Sequence, residues 1–161
     1  GEHMTTDTRR RRLLKWLTAA TGLGLASRGA QAATEHQDLF GEPEHKLVYQ
    51  FNHADLEYME AILFSVGAML RQYGDNIHIV ITVIGPGIHI LAKQPRRPVP
   101  QLIRQRVSSL AAYGVAFHAC GNTMKSLDWT KDDMLEFADI VEIGADDLMT
   151  LQEQGYSYIS W

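Results

Sequence analysis

Stretches of continuous apolar residues alternate with stretches of helical period along this chain. KLVYQF (46–51) has the length and composition of a short buried strand. In the next 23 residues Leu56, Met59, Ile62, Leu63, Val66, Met69, Leu70 and Tyr73 recur at three- and four-residue steps, one face of an amphipathic helix. Asn52 or Asp55 caps its start and Gly74 ends it. Residues 77–84 are rich in β-branched side chains and almost uninterrupted, as in a central strand covered on both faces. Gly85-Pro86-Gly87 stops that strand, and one or two helical turns are expected over 88–93.

The remainder repeats the pattern. A proline-rich basic loop (93–100) leads into a helix over 101–113, with Pro100 suited to its first turn. VAFHAC (115–120) is the third strand. TKDDMLEFA predicts a further helix, because Thr130 and Asp133 form a weak capping box. DIVEIG (139–144) is the fourth strand, ADDLMTLQEQG a helix with acids in its first turn, and YSYISW (156–161) the fifth strand. Strand and helix in strict alternation predict an α/β fold, a mainly parallel sheet with helices on both faces.

The N-terminal residues do not fit this scheme. Gly1-Glu2-His3 before Met4 look vector-derived. Four arginines (9–12), a weakly apolar stretch and the small-x-small run Ala30-Gln31-Ala32 then form the three regions of a secretory leader over residues 1–32. Its apolar part is shorter than the ~20 residues a spanning helix needs. The RRRLLK run resembles a twin-arginine export motif, which places the mature protein in the periplasm. Residues 33–45 read as a flexible lead-in and 46–161 as one domain. From residue 33 onward 9 basic residues face 17 acidic ones, a net charge of −8. A nucleic-acid partner calls for a basic footprint, so none is expected, and no membrane span is expected after the leader is removed.

Candidate chemistry follows from topology. Ligands of open parallel sheets bind beyond the carboxyl ends of the strands. Those ends carry Asn52 and His53; Gly85, Gly87 and His89; Cys120, Gly121 and Asn122; and Gly144 and Asp146. Cys120 is the lone cysteine, so it has no disulfide partner within the chain. As a strand-terminal residue it is expected to be less buried than mid-strand neighbours. A helical turn after it (NTMKSL) would favour the thiolate, and Gly121 permits close approach of a ligand. His118 shares the strand face of Cys120 but lies ~6.5 Å away, so His53 and His89 are equal candidates for a base. There is no dinucleotide fingerprint, Walker loop, HExxH or CxxC, and no cofactor is expected.

The pieces ACGNTM (119–124), GPG (85–87) and LQEQGYSYI (151–159) together resemble the DsrE-like family of sulfur-relay proteins, over about residues 46–161. The resemblance implies a three-layer α/β/α sandwich around a five-stranded sheet, commonly assembled as a trimer or hexamer. It also implies a cysteine near the end of the third strand that carries sulfur as a persulfide; Cys120 stands at about that position. The export-type leader departs from the family's well-understood members, which are cytoplasmic and pass sulfur to partner proteins.

Three readings stay open. In a sulfur carrier, Cys120 takes up sulfane sulfur from a donor protein and yields it to an acceptor. His53 or His89 manages protons, and Asn52, Asn122 and the Gly85–Gly87 backbone supply hydrogen bonds. In a metal-binding protein, Cys120 and His118 converge with His53 or His89 on copper or zinc. In a binding or assembly module the thiol is inert.

Overall fold

The computed structural model describes residues 41–161. The leader expected over 1–32, and the lead-in as far as residue 40, lie outside the described residues. Five strands form one sheet: β1 (His45–Phe51), β2 (Ile77–Val83), β3 (Ala116–Cys120), β4 (Ala138–Val141) and β5 (Ser157–Ile159). Their order is β4-β3-β2-β1-β5, and every pairing is parallel. The helices are α1 (Leu56–Tyr73), α2 (Gln101–Ala112), α3 (Gly121–Ser126) and α4 (Gly144–Glu153). Among these no helix is long and apolar enough to cross a membrane.

The chain steps one way across the sheet from β1 to β4 and then returns past β1 to β5. Parallel crossovers are right-handed, so reversing the direction of travel puts the returning helix on the opposite face. The packing agrees. α1 and α2 bury Met59, Ile62, Val66, Ile103 and Val107 against Tyr49, Phe51, Ile79, Ile81 and Phe117. α4 lies on the other face, where Leu148 and Leu151 meet Val48 and Val80. The architecture is the predicted α/β fold, with two long helices on one side and one short helix on the other.

Element ends are set by local chemistry. The Asp55 carboxylate accepts from Tyr58 N–H at 3.0 Å, and Gly74 closes α1 with positive φ. The turns expected over 88–93 form one stop earlier, as a 3-10 helix over Gly85–Leu91. The helix expected after Thr130 is replaced by a single 3-10 turn, Lys131–Asp133. Its capping box forms, but tertiary bonds take the backbone groups a helix would need. Leu135 N–H donates to Leu91 C=O, Lys93 N–H donates to Asp133 C=O, and Ala92 and Met134 form an antiparallel bridge. β4 begins and ends earlier than expected because Gly144 belongs to α4.

Candidate functional site

Cys120 is the last residue of β3 and the N-cap of α3. Its neighbour from the other end of the crossover is Gly144, the first residue of α4, whose N–H donates to Cys120 Sγ at 3.3 Å. The glycine is required by space. A Cβ there would lie 2.6 Å from Ile84 Cγ1 and 3.2 Å from Cys120 Cβ. Thr123 completes the environment. Its hydroxyl accepts from Gly85 N–H at 3.0 Å, and its nearness to the thiol favours the thiolate. Gly85 has φ +57°, the left-handed conformation that lets the Gly85-Pro86-Gly87 loop turn back over the end of β3.

These contacts decide the state of the thiol. Burial alone would push its pKa up. Neighbouring donors, foremost the Thr123 hydroxyl and amide and then the Gly144 and Asn122 amides, more than offset that and hold it below the ordinary thiol value. Of these the Gly144 N–H makes the hydrogen bond to Sγ, while the Asn122 N–H donates to Glu142 C=O. The sulfur thus sits among donors aimed at an anion. It is also enclosed: Cys120 is 4% exposed. It is marginally less buried than Phe117 and Ala119, as its strand-terminal place predicts, but not open to solvent. α4 starts directly above it, and Ile84 packs against Gly144 at the same point.

His118 faces α4 from the same strand. Its Nδ1 lies 2.8 Å from Asp147 Oδ2, and the Thr82 hydroxyl donates to that same oxygen at 2.7 Å. Thr82 and His118 are register partners on β2 and β3, so one carboxylate oxygen of α4 spans two strands. His118 is not among the partners of Cys120 Sγ.

The other predicted residues are placed elsewhere. His89 is buried, its Nδ1 accepts from Arg96 N–H at 3.1 Å, and its ring packs edge-on against Trp129. His53 is exposed and lies against the Tyr58 ring. Asn52 is tied to Tyr58: its N–H donates to Tyr58 Oη at 2.9 Å and its Oδ1 is 3.0 Å from the same atom. Asn52 and His53 flank the point where strand order reverses, between β1 and β5, whereas the thiol is two strands away. Gly87 is buried under Phe51, whose carbonyl a Cβ would meet at 2.6 Å. Gly121 packs on Val141 and Glu142, and exposed Asn122 donates its N–H to Glu142 C=O. Of the predicted set, Cys120, Gly85, Gly121, Asn122 and His118 gather at this end of β3. Thr82, Thr123 and Asp147 join them without having been singled out. The signals were a hydroxyl within the apolar run of β2 and a second acid in the first turn of α4.

No set of three His, Cys, Asp or Glu side chains among the described residues converges as a metal site. The metal-binding reading therefore loses its ligand shell, since Cys120 and His118 point into separate hydrogen-bond networks.

Comparison with known proteins supports the fold and the family. A protein of unknown function from Methanobacterium thermoautotrophicum, MTH1491, superposes with a TM-score of 0.66 at 23% identity, covering 73% of this chain and 100% of its own. The ychN protein from E. coli superposes with a TM-score of 0.58 at 14% identity, covering 73% of this chain and 99% of its own. No curated protein matches the sequence. The model of the DsrE/DsrF-like family matches residues 30–161, and the chain belongs to that family.

Proposed function

We propose that the protein is a sulfane-sulfur carrier whose working atom is Cys120 Sγ. The observation that carries this reading is the Gly144 N–H on Sγ at 3.3 Å with Thr123 beside it, surroundings that lower the thiol pKa in spite of burial. A thiolate is the species that attacks sulfur. The Cys120 thiolate attacks the outer sulfur of a donor persulfide, R–S–SH. The donor's S–S bond breaks, R–S⁻ leaves with the bonding pair, and Cys120 becomes Cys–S–SH. An acceptor thiolate reverses the step, and Cys120 leaves as thiolate. No electrons are gained or lost overall, so no redox cofactor enters. Loading needs an opening in the cover of this buried thiol, and the Ile84–Gly144 contact beside Cys120 is the place we assign to it. By family resemblance the carrier works as a homo-oligomer with a donor and an acceptor protein, and its leader directs it to the periplasm.

Incubation with glutathione persulfide should add one sulfur atom to the intact mass of wild type and none to Cys120→Ser. An adduct that survives Cys120→Ser, or no adduct on wild type, rejects the carrier. A second reading rests on a different fact, the 4% exposure of the residue, which suits an inert core thiol. It predicts that iodoacetamide labels the folded protein no faster than global unfolding allows.

A further inference from the structure

The hydrogen bond from Gly144 to the sulfur depends on where α4 begins. Leu148 and Leu151 are the apolar side chains α4 buries on this face, and at its amino end the apolar contact is Ile84 against the Gly144 backbone. Beyond that contact the attachment at the amino end of α4 is polar. Asp147 lies three residues after Gly144, in the same first turn, and its Oδ2 takes both the Thr82 hydroxyl (2.7 Å) and His118 Nδ1 (2.8 Å). Thr82 is fully buried and has no other side-chain hydrogen-bond partner among the described residues. Asp147 and His118 side chains are 12% and 18% exposed. Two strands thus grip one oxygen at the turn whose first N–H points at Cys120.

We propose that Asp147 is a positioning residue for Cys120: by fastening the first turn of α4 to Thr82 and His118, it holds the Gly144 N–H on Sγ. The proposal rests on the carrier reading for its purpose but not for its test. The carboxylate acts through the backbone. Its own negative charge, if it reached the sulfur, would disfavour the thiolate. Fastening and direct charge therefore have opposite signs. Cutting the fastening raises the thiol pKa, whereas removing a repelling charge lowers it.

The test is thiolate ultraviolet absorbance against pH, read as the difference from Cys120→Ser, which needs no reagent to reach the sulfur. In Asp147→Ala the thiol pKa should rise, and the Gly144 amide should exchange with solvent at least tenfold faster than in wild type. Asp147→Asn keeps an oxygen acceptor and should restore most of both. Thr82→Val removes one of the two fastenings at nearly constant volume and should shift both readouts less, in the same direction. It also covers the case in which Asp147→Ala does not fold. Exposed Met149→Ala, on the same helix, should change neither. An unchanged or lowered thiol pKa in folded Asp147→Ala or Thr82→Val overturns the proposal. Persulfide loading, measured separately, judges the carrier: a wild type that never loads sinks the carrier reading while the pKa shift still upholds the positioning role.

Discussion

The two faces of the sheet are built on different principles. The face under α1 and α2 is mostly apolar, with Tyr49, Phe51, Val83, Ile81 and Phe117 fully buried there. The face under α4 has a small apolar patch, Val48, Val80, Leu148 and Leu151. Around that patch, beside the partly buried Ile84, Ala116 and Tyr156, lie polar contacts: Thr82 and His118 to Asp147, His78 to Tyr156 at 2.5 Å, and Tyr158 to Gln50 at 2.6 Å. Apolar packing is non-directional. Hydrogen bonds fix position within tenths of an ångström. The first face holds the fold together, and the second sets where α4 starts above the one thiol.

The sharpest break of that contrast is Phe117→Ala. It should cost about 3–5 kcal/mol of stability, read from urea unfolding, because the ring is wholly enclosed. A matched pair on β2 refines the test. Val83 and Val80 are both buried but belong to opposite faces. Val83→Ala should lose more than Val80→Ala, since it forfeits packing under two long helices rather than under one short one. Equal losses would mean that the faces do not differ in how densely they pack.

Gly144→Ala attacks the join between the faces. The new Cβ would lie 2.6 Å and 2.8 Å from Ile84 Cγ1 and Cδ1. Either Ile84 swings out or α4 lifts, at a cost of about 1–3 kcal/mol. In both cases the sulfur loses its shield, and in the second it also loses a donor. Iodoacetamide should therefore label Cys120 faster than in wild type, at a pH where both thiols are ionised. Slower labelling would show that access does not run past Ile84.

What the sequence revealed follows the same division. Strands β1, β2 and β3 were legible because their apolar runs are dense in residues that suit a buried pleat, and α1 because its apolar period is unbroken for 18 residues. The place of Cys120 at the end of β3 was legible too. Its burial was not, because the cover comes from Gly144, 24 residues further on. The turn at Lys131–Asp133 failed for a like reason: Thr130 and Asp133 made a true cap, but Leu91 claims the backbone bond that a helix needs. Asp147 was read as a favourable charge near a helix start, which is a local reason. Its contacts with Thr82, 65 residues away, and His118, 29 residues away, are not. Local pattern predicts elements well and cross-face polar contacts poorly, and the site is made of the latter.

Each face also holds one histidine whose pKa is lowered, which separates them by pH. On the α4 side, burial lowers His78, with smaller contributions from His118 and Lys46. On the α1 and α2 side, burial lowers His89, helped by Arg97 and Arg96. His89 Nδ1 also accepts the Arg96 N–H, a bond that exists only while that nitrogen is unprotonated. Both rings are neutral in the folded and unfolded chain above the ordinary value of about 6.5, so their contribution is complete there. As pH falls below it, the unfolded chain binds protons first and stability declines, until the lowered folded-state pKa values are passed and the slope ends. The urea midpoint should therefore drop as pH falls through and below about 6.5. His89→Gln should flatten the drop more than His78→Gln, because a ring that is 4% exposed and already receives a main-chain N–H resists protonation more than a half-buried one. A larger flattening from His78→Gln would reverse that order and make the polar face the more pH-sensitive of the two.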